Sequence, residues 1–268
     1  GGEPQLAGLW LALLALALAT LGWVYLAKPL LQRRAPYRVT AVRPVAQRSW
    51  EVEIAPLGPT RADFKAGQFA WVKLDRGPWS LREHPFTYAS APAELPRVRF
   101  LIKEAGDFTN TIGSLEPGAR AFLDGPHGHL VLTGREAGPL VFIAGGVGIA
   151  PALSILRQLC SEGDRRPLHL VYGNRVREQI CFAEELEAMQ RKLDLRIDHV
   201  LAEPPAGWPG ATGQLDQATL AQLLDLPGRA DSLYLVCGPP PMIEAVGRAL
   251  GALGVPRRRV VAERFRYD

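Results

Sequence analysis

The sequence predicts a mixed fold: an antiparallel β-barrel, then an α/β domain with a doubly wound parallel sheet, the pair preceded by one transmembrane helix. Three observations carry this. No charged residue stands between Pro4 and Ala27; short segments of period-two alternation fill residues 37–132; and strand-like and helix-like segments alternate from Gly138 onward. These shifts divide the chain into residues 1–35, 36–134 and 138–268.

Residues 6–27, at about 1.5 Å per residue, match the roughly 30 Å of a bilayer core. Trp23 and Tyr25 suit an interface, and Lys28, Arg33 and Arg34 follow, which places the catalytic domains on the cytoplasmic side of a membrane. Ala17-Leu18-Ala19 imitates a signal-peptide cleavage site, but Glu3 stands where a basic region belongs and the apolar run continues beyond it. The chain opens on Gly1-Gly2 and not on Met, which leaves room for preceding polypeptide.

Alternation over residues 37–42, 50–54, 69–74, 98–103, 119–123 and 130–132 predicts the barrel strands, with one helix over about 107–115. Past a linker at 133–139, the apolar run 140–144 reads as a strand buried on both faces. A helix is expected from Pro151 with Leu153, Leu156 and Cys160 on one face, then a strand at 168–172 and a helix with the stripe Phe182, Leu186, Met189 and Leu193. Strands at 196–201 and 233–237 and helices at about 216–224 and 241–253 complete the alternation that marks a doubly wound sheet.

With 268 residues, 47% hydrophobic and 22% charged, both domains can bury a core. The net charge of +4 is spread along the chain without an aromatic-interleaved basic patch, which argues against a nucleic-acid partner. Cys160, Cys181 and Cys237 are far apart, and with the histidine spacing they give no metal site, iron–sulfur cluster or disulfide framework.

Gly145-Gly146-Val147-Gly148 follows a predicted strand and opens a predicted helix, the setting in which glycines let backbone N–H groups approach a pyrophosphate. Ala150-Pro151 replaces the last glycine of the usual pattern, so a plain tight turn is the competing reading. Before this loop stands His84-Pro85-Phe86-Thr87-Tyr88-Ala89-Ser90, and after it Cys237-Gly238-Pro239-Pro240-Pro241-Met242. Together with Gly67-Gln68, Gly106 and Thr109, Gly125-Pro126-x-Gly128 and Tyr172-Gly173-Asn174-Arg175, these motifs resemble the ferredoxin–NADP reductase superfamily. His-Pro-Phe-Thr in particular is similar to the flavin motif of its ferric reductase and NADPH oxidase branch.

The resemblance covers the chain from Tyr37 onward and implies an FAD-binding barrel and an NADP-binding α/β domain. His84 would contact FAD phosphates, Phe86 would lie along the flavin, and the Thr87 hydroxyl would bond flavin N5, with Pro85, Ser90, Lys103, Gly106 and Thr109 also assigned to FAD. A cis-proline turn with Phe86 in the core, and a helix cap at Asp107 or Thr109, are the plainer readings of those segments.

Gly145, Gly146, Gly148, Pro151, Cys237, Gly238, Pro239 and Met242 would hold the dinucleotide. Arg175 and Arg177, with no acid before Glu178, favour NADPH, NADH being the other candidate, unless they are a solvated pair. Thr87, Cys237 and Phe265 are the implied catalytic set: Cys237 positions the nicotinamide, unless it is only a small buried residue, and Phe265 or Tyr267 covers the flavin.

The implied activity is hydride transfer from NADPH to FAD, then single-electron delivery to a haem domain, ferric iron or oxygen. No histidine precedes His84, so this chain carries no membrane haem ligands of its own. A single-span reductase for a separate oxygenase or cytochrome is the alternative enzyme, and a membrane-tethered nucleotide sensor the alternative of another class.

Overall fold

The computed structural model describes residues 3–59, 62–132, 138–225 and 231–264. An N-terminal helix α1 (Glu3–Gly22) passes through a π turn at Trp23–Ala27 into α2 (Lys28–Arg34). Pro29 lacks an N–H, so the regular ladder loses a bond there, and the looser turn just before it takes up the mismatch. The most apolar stretch of this helix is unburied, whereas Pro29 and Gln32 of α2 are buried, Gln32 donating to the Leu123 carbonyl (3.4 Å).

Strands β1 (Tyr37–Ala46), β2 (Ser49–Pro56), β3 (Phe69–Leu74), β4 (His84–Thr87), β5 (Val98–Lys103) and β6 (Arg120–His127) form an antiparallel sheet in the order β4-β3-β6-β1-β2-β5. A bridge between Tyr88 and Phe100 brings its two edges together, curling it around a core that holds Val52, Ile54, Val72 and Ile102. The Tyr88 ring stacks on Phe64 with centroids 4.0 Å apart.

Local pattern misjudged three segments here. His84-Pro85-Phe86-Thr87 is a strand, tolerated despite its proline because it lies at the sheet edge. Residues 130–132 form no strand: Leu130 is buried in a core shared with the second sheet, and its carbonyl sits where a Cβ on Gly67 would be, at a φ of 95°. The helix expected from Asp107 is a 3-10 segment, Thr109–Ser114.

The second lobe runs β7 (Leu140–Gly145), α3 (Ile149–Glu162), β8 (Leu168–Asn174), α4 (Ala183–Gln190), β9 (Leu195–Leu201), β10 (Ala211–Thr212), α5 (Gln217–Leu223), β11 (Leu233–Gly238), α6 (Pro240–Ala252) and β12 (Val260–Arg264). Its parallel sheet has the order β10-β9-β8-β7-β11-β12. One face packs Leu153, Leu156 and Leu159 of α3 and Leu186 of α4; the other packs Leu220 of α5 and Ile243, Val246 and Leu250 of α6. The winding is therefore double. β10 and β12 were not anticipated, and α3 starts at Ile149, not at Pro151.

The lobes share one apolar cluster, in which Ala89, Leu101 and Leu130 of the first pack with α3 and the parallel sheet. A buried polar joint reinforces it. Arg157 of α3 donates to Glu185 (2.7 Å), Glu51 (3.2 Å) and the Ala89 carbonyl (2.8 Å), and its guanidinium lies 5.1 Å from the Phe182 ring centroid.

Candidate functional site

Beside β4, the first lobe opens a cleft of about 650 Å³ whose far wall includes Val147 and Ala150 of the second lobe. That volume lies within the roughly 300–1,000 Å³ of ligand pockets. His84, Pro85, Phe86 and Thr87 line it from β4, Lys103 from the end of β5, and Gly106 and Thr109 from the turn beyond. The His84 ring stacks on Phe108 with centroids 4.3 Å apart and planes 6° from parallel. Burial, with the nearby charges of Arg76 and Arg82, pushes the His84 pKa below its ordinary value. His84 is thus a neutral hydrogen-bonding ring at pH 7, and the positive charge in the cleft comes from Lys103 and Arg82. Arg82 stands two residues before His84, outside the motif that the sequence marks.

Three parallel-sheet elements converge on the glycine loop. A Cβ on Gly145 would overlap the Met242 sulfur, and one on Gly148 would overlap the Cys237 carbonyl. On Gly238 it would stand 2.5 Å from the Met242 methyl. Glycine is needed at these points for backbone and side chains to close up, while Gly146, with φ at 54°, faces open space. The open side is where a ligand would meet the loop and the start of α3. Tyr172, whose motif gives no sign of a role for its side chain, donates its hydroxyl to the Gly146 carbonyl (3.1 Å) and accepts from the Cys181 N–H (3.3 Å), pinning the loop.

A profile of the oxidoreductase NAD-binding domain matches residues 142–248. Ferredoxin–NADP reductase B of Sorangium cellulosum is 32% identical over 237 residues, which cover 85% of this chain and 96% of that protein. The chain belongs to the ferredoxin–NADP reductase family. The cofactors of this family, FAD and NAD(P), suit the charged cleft and the glycine cradle respectively.

The reductase component of propane 2-monooxygenase from Rhodococcus jostii is 31% identical over 237 residues, 85% of this chain and 62% of that protein. Several such relatives are longer, the chain spanning 54 to 66% of their length. Among solved structures, the ferredoxin reductase in carbazole 1,9a-dioxygenase superposes with a TM-score of 0.75 at 26% identity, over 87% of this chain and 69% of that one.

Within this ferredoxin–NADP reductase fold, some expected cofactor contacts are engaged elsewhere. Ser90 is fully buried away from the cleft: its hydroxyl accepts from the Arg99 N–H (3.0 Å) and its carbonyl from Ser154 (2.7 Å), so it joins the lobes. The Thr109 hydroxyl accepts from the N–H groups of Ala105 (2.8 Å) and Gly106 (2.9 Å) and donates to the Gly106 carbonyl, which leaves no proton for a phosphate. Pro151 is buried inside α3. The peptide bond before Pro85 is not cis; the cis bonds among the described residues precede Pro96 and Pro126. Phe265 and Tyr267 lie outside the described residues.

Arg175 and Arg177 are exposed past the end of β8, and Arg175 stands 3.8 Å from Glu203. Cys237 is buried at the carboxyl end of β11, where burial raises its thiol pKa, so it is a neutral, non-nucleophilic group. Pro239 caps the start of α6 behind it.

Glu263 is paired in register with Cys237 across β11 and β12. Its Oε1 lies 2.8 Å from where a Gly128 Cβ would be, Oε2 finds no partner among the described residues, and burial raises its pKa to about 7. Because the folded pKa exceeds the ordinary value of 4.5, the neutral carboxyl stabilises the fold below that value and the contribution is lost as pH rises through about 7. Glu263→Gln, neutral throughout, should match the parent melting temperature near pH 4.5 and exceed it at pH 8 by the equivalent of about 1–2 kcal/mol after discounting for solvent screening. Parallel melting curves across that range would contradict the assignment.

A second cavity, about 320 Å³, opens at the opposite end of the parallel strands, beside Leu140, Leu168 and His169. It is remote from the loop, since it adjoins the amino ends of β7 and β8 whereas the loop leaves their carboxyl ends.

Proposed function

We infer that this chain is a membrane-anchored reductase that takes electrons from NAD(P)H and hands them to a separate oxygenase or cytochrome partner. The observation that carries it is the pair of adjoining sites, a charged FAD cleft and a glycine cradle, walled against each other by Val147 and Ala150. The relatives that are reductase components favour a separate partner over the ferric reductase and NADPH oxidase reading. The length of the helical span Gln5–Arg34 and the exposure of its apolar part support a bilayer anchor, and Lys28, Arg33 and Arg34 beyond the apolar run favour the cytoplasmic side for the catalytic lobes.

FAD, when bound, supplies the conversion between two-electron hydride acceptance and one-electron release. The protein's share is placement. Thr87, 6% exposed at the end of β4, presents a hydroxyl to the cleft that both donates and accepts, which suits a ring nitrogen that changes between those roles. Arg82 and Lys103, which line the cleft, would neutralise the FAD phosphates, and His84 would add a hydrogen bond. Gly145, Gly146 and Gly148 would admit the NAD(P) pyrophosphate to the start of α3, exposed Arg175 and Arg177 would meet a 2′-phosphate and so favour NADPH, and Cys237 and Gly238 would pack the nicotinamide face.

Purified full-length chain in detergent should be yellow and oxidise NADPH with ferricyanide, and should use NADH less well. Colourless protein that stays inactive after added FAD would overturn the reading and restore that of a nucleotide sensor. A preference for NADH would remove only the roles of Arg175 and Arg177.

A further inference from the structure

We propose that the loop between β3 and β4 is a second membrane contact, in which Trp79 and Leu81 insert into the interfacial layer of an anionic phospholipid bilayer. The proposal rests on the membrane anchor inferred above and adds a surface to it.

The loop's height on the helix is fixed at both ends. At its start, the Lys73 ammonium donates to the Pro78 carbonyl (2.7 Å) and to Gln32 of α2 (2.8 Å). At its end, Lys28 of α2 pairs with Glu83 (2.6 Å) and, on the adjoining strand, with Asp124 (2.7 Å). Lys28, Gln32 and Lys73 are mostly withdrawn from solvent, so these bonds form a joint and not a loose surface pair. Residues 78–83 therefore run beside the single turn of α2 between Lys28 and Gln32. At about 1.5 Å of rise per residue, that turn begins just past Ala27, where the apolar run ends.

The side chains offered at this level are those an interface accepts. Trp79 is 49% exposed and Leu81 62%. Trp71 is also partly exposed, and it stands opposite Asp124 in the sheet, on the face turned to α2. On the helix itself Trp23, Tyr25, Leu30 and Leu31 are exposed at neighbouring heights. Aromatic rings with one polar edge concentrate at the headgroup layer. Arg76 in the loop and Arg33 and Arg34 at the end of α2 surround these rings with positive charge, opposed by Asp75 alone among the loop's exposed side chains. Such a mixture fits an anionic lipid surface.

The functional consequence is orientation. The loop continues directly into His84–Thr87, so the mouth of the FAD cleft would be held at the membrane surface, within reach of a partner embedded in or resting on the bilayer.

The test uses the full-length chain with Cys160→Ser, reconstituted into vesicles of phosphatidylcholine and phosphatidylglycerol. One cysteine is added at a time, by Leu81→Cys, Trp79→Cys, Leu14→Cys in α1 or Glu187→Cys on the exposed side of α4, and labelled with an environment-sensitive fluorophore. Lipids carrying nitroxide quenchers report depth. The expected result is loss of fluorescence and a blue shift for the labels at 79 and 81, reduced when phosphatidylglycerol is left out, with no loss at 187. If the labels at 79 and 81 behave like that at 187 while the one at 14 is quenched, the proposal fails and the anchor stands. An unquenched label at 14 removes the anchor and the proposal together, and intermolecular crosslinking through 79 or 81 without quenching would assign the surface to a second copy of the chain.

Discussion

Gly148→Ala should lower kcat/KM for NAD(P)H by about 100-fold or more while leaving FAD bound. The backbone at Gly148, φ −62° and ψ −3°, is open to any residue, so strain is not the cause. Space is. A methyl group there would overlap the Cys237 carbonyl oxygen and stand 2.6 Å from its carbon and 2.8 Å from the Gly238 nitrogen. These are backbone atoms of β11, which is paired with β7 on one side and β12 on the other and cannot retreat. The loop must therefore move outward, and displacement of about 1 Å is enough for losses of that order. Stability should fall by about 1–3 kcal/mol, as for other overpacked sites. The flavin absorbance and the ferricyanide assay on one preparation separate the outcomes: full flavin content with parent kinetics would mean that β11 does not hold the loop.

Arg157→Leu should destabilise the protein by about 3–5 kcal/mol, the cost of breaking a buried, hydrogen-bonded charge network. Burial by itself would depress the guanidinium pKa, but the hydrogen bonds and charges of Glu185 and Glu51 outweigh it and the group is held charged. With leucine in place, the Glu51 carboxylate remains buried with only Arg99 and Arg43, each at 3.5 Å, and the Ala89 carbonyl loses its donor. Arg157→Lys should recover little, because a single ammonium cannot serve Glu185, Glu51 and Ala89 from the directions that the planar fork reaches. Since the contacts cross between lobes, denaturant unfolding of the leucine variant should separate into two transitions. One transition, with a loss under about 1 kcal/mol, would show that the apolar cluster alone holds the lobes together.

The parallel sheet was legible because its signals are local. Residues 140–144 and 233–237 are unbroken apolar runs, and β7 and β11 are buried at every position. The glycine loop was legible for the same reason, being one short segment between a strand and a helix. Contacts between distant segments were not. Ser90 and Ser154 are 64 residues apart, and Glu51 and Arg157 are 106 apart, so no window of sequence places them together. Ser90 accordingly read as a cofactor contact when it is a joint. β4 was missed because four residues including a proline carry no alternation, and its strand state depends on the exposed edge of β3. β12 was missed because Val260 follows a run of three arginines, and it becomes a strand by pairing with β11. Arg82 was passed over because a charged residue in a loop has no local mark that separates a ligand contact from a solvated side chain.

The shared apolar cluster also bears on how such a chain can be recombined. A gene segment cut at the linker would carry Ser154, Arg157 and Glu185 on one side of the break and Glu51, Ala89 and Ser90 on the other, each set half of a lock. Transplanting the nucleotide-binding lobe onto a foreign barrel would then bury a guanidinium against whatever that barrel offers. The seam that Gly134, Gly138 and Pro139 suggest in the sequence is therefore a poor place to exchange parts, and functional chimaeras would have to inherit the residues of both faces together.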